Sequence, residues 1–600
     1  MKRSKAPLNQ TWDITHIYKT EEDYEIALEK FKELVNKFVE DYQGKLNNKE
    51  ILNKSLLDYM YIFELLSKID HYATLPTSVD AFDEVANERE FKLFSMTSEY
   101  LAKLSFYISE LITLDENLLK EAKENKDVIA FIDDVLEQKA HALHPEVEKA
   151  IQNLGSILRL PYTIYNETKS RDINFADFEA AGKMHKNSYN IFEGEIEYEK
   201  DTEIRREGFR AFSDEIAKYQ HTTAAAYNAQ VQKEKIISTL RGFDSVIDYL
   251  LHEQKVSRDL YNRQIDIIME ELAPHMRKYA NIIKTIYKLD KMTYADLKVE
   301  VNPSYSNKIS FKEAEKYVLD GLSILGDDYI AIMKEAFDNR WIDYANNEGK
   351  STGAFCASPY GTTSYICMTF NEIMSDVMTL AHELGHAGHF QLTHEHQSVL
   401  NSEPSMYFVE APSTTNELIV ENYLLEFAEK NNDKRMKRWI LSQMVAKTYY
   451  HNFVTHLLEA HYQREVYKII DEGGQVNAKI LSDIFKNTLE KFWGNSVELT
   501  EGAELTWMRQ PHYYMGLYSY TYSAGLTIGT QVSKMIRENG KEAASKWVEV
   551  LKMGGTKSPE ELAKAAGVDV STDTPLKETI AYIGSLIDEI EEISKELGEI

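Results

Sequence analysis

Apolar residues recur at steps of three and four along most of this chain, and that period commits it to helices. After Thr20-Glu21-Glu22-Asp23, which reads as a capping-box start, Tyr24, Leu28, Phe31, Val35, Phe38 and Tyr42 line one face until Gly44 interrupts them. The same period runs through the next hundred residues, returns from Ile204 to Leu289, and ends the chain in the acidic amphipathic stretch LIDEIEEISKELGEI. Its charge runs read as solvated helix faces. Two passages break the pattern. Residues 182–200, GKMHKNSYNIFEGEIEYEK, predict a short hairpin or linker and a boundary near Asp201. Residues 351–370, STGAFCASPYGTTSYICMTF, are the most strand-like, with Tyr365–Phe370 a short strand feeding the next helix. No internal repeat is visible.

A length of 600 residues implies two to four units, or one large helical body with lobes. The formal charge of −29 argues against a nucleic-acid partner, which needs clustered Lys and Arg, and against an anionic membrane surface. There is no run of 18 apolar residues, and the opening MKRSKAPLNQTWDITHIY has no apolar core of a secretory signal. With only Cys356 and Cys367, the expectation is a reduced, cytoplasmic protein. The two cysteines flank the turn-like Pro359-Tyr360-Gly361-Thr362, so on a hairpin they would face each other.

The chemistry concentrates in His382-Glu383-Leu384-Gly385-His386-Ala387-Gly388-His389. Thr369-Phe370-Asn371-Glu372 reads as a second capping box, which predicts a helix from there to about Gln391. On it His382 and His386, four apart, share a face and can meet one ion at about 2.0–2.1 Å each. Glu383 lies about 100° around the helix, beside the ion's open position and close to a bound water. HExxH on a helix is the metalloprotease signature for these reasons. Gly385 and Gly388 each cost about 1 kcal/mol inside a helix, so close approach by another backbone is expected. A catalytic zinc needs a third protein ligand. His389 is one candidate, but three ligands from one straight helix splay along its axis, and it reads better as a helix-face histidine near the cleft. His394 and His396 fit no better. Glu410, in FVEAPSTTNE where a new helix begins with Pro412 in its first turn, is better placed to reach across. Asn416 and Glu417 are candidates to orient His382 or His386.

HELGHAGH followed at this distance by VEAPSTTNE resembles the M3 family of zinc oligopeptidases, in its bacterial oligoendopeptidase F branch. GAFCASPYGTTSYICMTFNE is similar to the family's segment before the active-site helix, and WMRQPHYYMGLYSYTYSAG to its C-terminal Pro-His and Tyr-rich segment. The resemblance implies one zinc per chain held by His382, His386 and Glu410, with Glu383 as general base. It draws oxyanion donors from His512, Tyr518, Tyr520 and Tyr522; Tyr518 and Tyr522, four apart, share a face and are the preferred pair. It also implies that Gly353, Ala354 and Phe355 form a sheet edge on which a peptide adds a strand.

The expected fold is therefore mainly α: a two-lobed helical metallopeptidase with a small β-sheet beside the HExxH helix and a deep substrate channel. Residues 1–200 would form an N-terminal helical lobe and 201–600 the catalytic domain. The expected activity is hydrolysis of internal bonds of short peptides by a monomer or small homo-oligomer. The rivals are a helical zinc carboxypeptidase and a peptide-binding protein with a structural zinc. The intact Glu383 argues against the second, since a closed structural site favours a fourth Cys or His.

Overall fold

The computed structural model describes residues 1–301, 308–351 and 353–600; Thr352, within the strand-like passage, lies outside them. Helices from Glu21–Tyr42 to Thr574–Glu596 account for most of the chain, joined by a two-stranded and a three-stranded sheet, so the fold is mainly α. The first helix shows why. Thr20 Oγ accepts from the Asp23 N–H at 3.1 Å while the Asp23 carboxylate accepts from the Thr20 N–H. Tyr24, Leu28, Phe31, Val35, Phe38 and Tyr42 are all buried, each such side chain contributing roughly 1.5–3 kcal/mol of transfer free energy. Gly44, at φ +72°, turns the chain away after the helix ends.

The chain forms two compact units, one of Met1–Pro145, Asn307–Tyr423 and Val532–Val568, the other of Glu146–Ser306, Leu424–Gln531 and Asp569–Ile600. Each draws on sequence from both sides of residue 200.

In the first unit, helices Glu21–Tyr42, Lys49–Val79 and Glu84–Thr113 pack around Phe31, Leu56, Leu93 and Tyr107, and the same core takes in Tyr365 and Cys367. Those two residues belong to the central strand of the three-stranded sheet. Tyr365–Cys367 pairs in parallel with Ile342–Asp343 and antiparallel with Phe355–Ala357. The strand is shorter than the predicted 365–370. The register sets Cys356 opposite Ile366 and Cys367 opposite Phe355, so the two cysteines leave opposite faces of the sheet, and both are free thiols. The sheet packs on the helix Met374–His396 that carries HELGH.

A buried ion pair anchors the sheet to that helix's approach. Asp343, fully buried, receives Lys350 Nζ at 2.7 Å, both nitrogens of the Arg3 guanidinium fork, and the Trp12 N–H. The same ammonium donates to the carbonyls of Ala345 (2.9 Å) and Met368 (2.6 Å), the latter on the path from the central strand to the HELGH helix.

In the second unit the predicted hairpin lies a few residues early: Phe178–Ala180 pairs with Lys183–His185 around Ala181 and Gly182. Both turn residues have positive φ (+49° and +70°), the geometry that matches the strands' twist. Residues further on form helix Tyr189–Gly194 and a 3-10 turn at Ile196–Tyr198, and Asp201 caps the helix Thr202–Ala217. Helices Gln220–Leu240, His456–Asp471 and Ala478–Trp493 pack on one another, and Thr574–Glu596 packs on Lys434–Gln443 and Ala273–Ile286.

Lys350→Met leaves Asp343 buried with Arg3 as its one cationic partner and strips a donor from the carbonyls of Asp343, Ala345 and Met368. Loss of one partner of a buried pair costs about 3–5 kcal/mol, so differential scanning calorimetry should show a clearly lower first unfolding transition. An unchanged thermogram would mean that Arg3 alone satisfies Asp343.

Candidate metal centre and active site

The helix bearing HELGH begins at Met374, later than predicted, and runs to His396, past Gln391. Thr369–Glu372 does not cap it, because Glu372 takes φ +62°, outside the helical region. The Asp376 carboxylate instead accepts the N–H groups of Asn371 (2.5 Å) and Ile373 (3.4 Å). One turn apart on this helix, the rings of His382 and His386 lie 5.1 Å from each other, centroid to centroid. Each presents Nε2 at 3.4 Å from the same atom, Glu410 Oε2. Two ligand atoms of one tetrahedral zinc, at bond lengths of about 2.0–2.1 Å, sit about 3.3–3.4 Å apart. The donor set and its spacing therefore fit one zinc ion.

Glu410 reaches this position because the two helices almost touch. A Cβ on Gly385 would lie 2.6 Å from Ser413 Cα and 2.7 Å from the Pro412 carbonyl oxygen, both in the first turn of helix Ala411–Lys430. A Cβ on Gly388 would lie 2.6–2.7 Å from the Tyr329 ring, whose hydroxyl donates to Asn416 Oδ1 at 3.1 Å. Both glycines thus answer a close approach, by backbone at one and by an aromatic ring at the other. Ser413 Oγ donates to Glu410 Oε2 at 2.9 Å and steadies the carboxylate. Of the two candidate orienting residues, Asn416 is taken by Tyr329. Glu417 instead brings Oε2 to 3.2 Å from His382 Nδ1. That contact engages Nδ1 and turns Nε2 toward Glu410.

The electrostatics follow from burial and pairing. Burial works against a charged His382, but Glu410 and Glu417 outweigh it and hold its pKa well above the ordinary value. Burial opposes ionisation of Glu410 too, yet His386 and His382 pull its carboxyl well below the usual range. The cluster attracts positive charge, which a divalent cation would satisfy. Glu383, only 6% exposed, is pushed upward by burial, with His382 and His386 opposing. His389 is not on a cleft face: it is 1% exposed, its ring lies 6.2 Å from that of Phe408, and burial pushes its pKa down to about 3. It is a neutral interior histidine. His394 packs on the Tyr360 ring, and His396 Nδ1 bonds the Leu392 carbonyl.

Phe355 opens the outer strand of the three-stranded sheet, while Gly353, at φ +82°, and Ala354 precede it. His512, Tyr518 and Tyr522 belong to the second unit and cluster there. The His512 ring lies 5.4 Å from Tyr518 and 5.7 Å from Tyr522, and the two tyrosine rings are 5.1 Å apart. Tyr520, on the opposite face, donates to Gln254 Oε1. Sequence reasoning missed the residues beneath this cluster, His456 and Glu459, with Glu459 Oε2 at 2.8 Å from His456 Nδ1 and 3.4 Å from His512 Nδ1. A signal existed: His451, His456, Glu459 and His461 fall within eleven residues.

Residues 196–582 match the profile of peptidase family M3, and residues 95–175 match that of oligopeptidase F. The chain belongs to peptidase family M3, in its oligoendopeptidase F branch, and is a peptidase. It is 26% identical over 604 residues to oligopeptidase PepF of Bacillus subtilis (strain 168), covering 98% of this chain and 88% of that one. It is also 26% identical over 601 residues to an oligoendopeptidase F homolog of Borreliella burgdorferi, covering 98% and 99%. The crystal structure of oligoendopeptidase-F from Enterococcus faecium shares the fold, with a TM-score of 0.74 at 19% identity over 96% of this chain and 99% of that one.

Two substitutions test the geometry. Gly385→Ala would gain about 1 kcal/mol in an unconstrained helix. Here it must push Ser413 away, so metal affinity in a competition titration should fall at least tenfold; unchanged affinity would show that the helix contact does not hold Glu410. Glu417→Gln should weaken metal binding roughly 10- to 100-fold with thermal stability near wild type. Equal affinity in the two proteins would remove Glu417 from the site.

Proposed function

We propose that this protein is a zinc-dependent endopeptidase that hydrolyses internal bonds of short peptides, with one zinc per chain held by His382, His386 and Glu410. The observation that carries the reading is the common 3.4 Å spacing of both imidazole Nε2 atoms from Glu410 Oε2, with the buried Glu383 next in sequence to the first ligand. Zinc in such a site acidifies a bound water toward a pKa of about 7 and polarises the peptide carbonyl. Glu383 removes a proton from the attacking water and delivers it to the departing amine. Burial raises its pKa, which makes it a stronger base for that transfer. Glu417 holds His382 in the tautomer that offers Nε2. His512, Tyr518 and Tyr522 supply hydrogen-bond donors to the developing oxyanion. Gly353, Ala354 and Phe355 align an extended peptide by main-chain hydrogen bonds, a role supported by the outer-strand position of Phe355.

At the level of family modules, residues 1–200 form the N-terminal helical lobe and 201–600 the catalytic domain. The location is cytoplasmic; two free cysteines support this, as does the lack, among the described residues, of any helix long and apolar enough to cross a membrane.

The test is an internally quenched peptide blocked at both ends. The wild type should cut it, and Glu383→Gln should lower kcat/KM by about 10²–10⁴-fold while one zinc per chain remains. A zinc-loaded wild type that cuts only unblocked peptides would be an exopeptidase. One that cuts nothing would leave a binding role, and a chain that takes up no metal would end the zinc reading.

A further inference from the structure

The carboxylate beneath His512 has no part in the reaction described so far, yet it is more deeply buried than any of the metal ligands. Glu459 is 1% exposed, and three donors converge on its Oε2: His456 Nδ1 at 2.8 Å, Ser519 Oγ at 3.0 Å and His512 Nδ1 at 3.4 Å. They come from three separate pieces of chain. His456 opens the helix that also carries Glu459, His512 lies in the 3-10 turn Pro511–Tyr514, and Ser519 is the first residue of helix Ser519–Asn539, which carries Tyr522. His456 in turn stacks on the Tyr522 ring, with centroids 4.1 Å apart and planes 16° from parallel.

The backbone leading into this hub is unusual. Met444–Thr455 is π-helical, and this wider turn sets residue i near residue i+5. His451 Nε2 thereby comes within 3.0 Å of His456 Nε2. Burial pushes the His451 pKa down to about 3, so it is neutral. The two rings share one hydrogen bond through their Nε2 atoms, which leaves His456 Nδ1 facing Glu459. His456 and His512 outweigh the burial of Glu459 and hold its carboxyl well below the usual range.

A second metal ion in place of this network is the competing arrangement, since His456, Glu459 and His512 are near enough to share one. The spacing speaks against it. Two ligands of one zinc stand about 3.3–3.4 Å apart, as at the first cluster, whereas 2.8 Å between His456 and Glu459 is a charge-assisted hydrogen bond.

We propose that Glu459 is a positioning residue: it accepts the Nδ1–H of His512 and so turns the Nε2–H of the protonated ring toward the substrate. This rests on the proposed role of His512 in peptide hydrolysis. The arrangement parallels a buried carboxylate that sets the tautomer of a catalytic histidine, where the amide variant retains shape but offers the wrong partner.

The experiment compares wild type, Glu459→Gln, Glu459→Asp, His512→Ala and the Glu459→Gln/His512→Ala double variant on the blocked quenched peptide. Zinc content is measured on each, and 15N spectra of histidine-labelled full-length wild type and His512→Ala are recorded alongside. Glu459→Gln should lower kcat by at least roughly tenfold with KM within about threefold, and Glu459→Asp should recover part of the loss. The double variant should be no slower than His512→Ala. The resonance missing in His512→Ala should carry the Nδ1–H signature in wild type. Multiplicative losses in the double variant would overturn the proposal, as would a His512 bearing its only proton on Nε2, or a second zinc lost in Glu459→Gln. The tautomer is read without any turnover. A wild type that binds zinc but cuts no peptide would therefore defeat the proposed function while the spectrum still judged Glu459, including where the Glu459 variants fail to fold.

Discussion

The near-contact of two helix backbones at Gly385 and Ser413 is the constraint on which the candidate metal centre depends. Packed helices usually keep their axes 8–10 Å apart because side chains separate them. Here a missing Cβ lets the first turn of Ala411–Lys430 close on the HELGH helix, and that first turn is where Glu410 and Ser413 sit. Without this approach the two histidines would share a face with nothing opposite them. The penalty is about 1 kcal/mol of helix propensity at each glycine. The well-capped start at Asp376 and extensive burial offset it, with Leu380, Ala381, Leu384 and Ala387 all fully enclosed.

Four carboxylates show how surroundings divide one functional group into different roles. Asp343 is matched by Lys350 and Arg3 and serves only to fasten the sheet. Glu410 is matched by two imidazoles whose Nε2 atoms also suit a cation, so its partners are exchangeable for a metal. Glu459 accepts three donors at one oxygen and is suited to holding other groups still. Glu383 has the least compensation, and burial raises its pKa, with only His382 and His386 opposing. An uncompensated buried charge is costly, and this is the position at which the proposed chemistry uses that cost.

Much of the fold was legible because its signals are local. The stripe from Tyr24 to Tyr42, the Thr20 cap, the strand at Tyr365–Cys367 and the pairing of His382 with His386 depend on residues within a few positions of one another. Local signals also misled. Thr369–Glu372 has the letters of a capping box, but the chain is still turning there, with Glu372 at φ +62°, and the helix starts only at Met374, with Asp376 in its first turn. The hairpin lies a few residues before the Gly- and Asn-rich passage because its turn is Ala181-Gly182, both at positive φ. Cys356 and Cys367 flank a turn, yet a register offset by one residue puts them on opposite faces.

By itself the sequence determined the helical architecture and the placing of His382 and His386 on one helix face with Glu383 between them, since a helix turn carries that geometry wherever it packs. It also narrowed the third ligand to a choice in which Glu410 was favoured. Tertiary structure alone decided that Glu417 and not Asn416 meets His382, that His389 is an interior residue, and that Glu459 gathers His456, His512 and Ser519 around one oxygen. Those outcomes turn on the rotation and separation of helices far apart in the chain. Packing of whole faces sets these quantities, and no short stretch of residues encodes them.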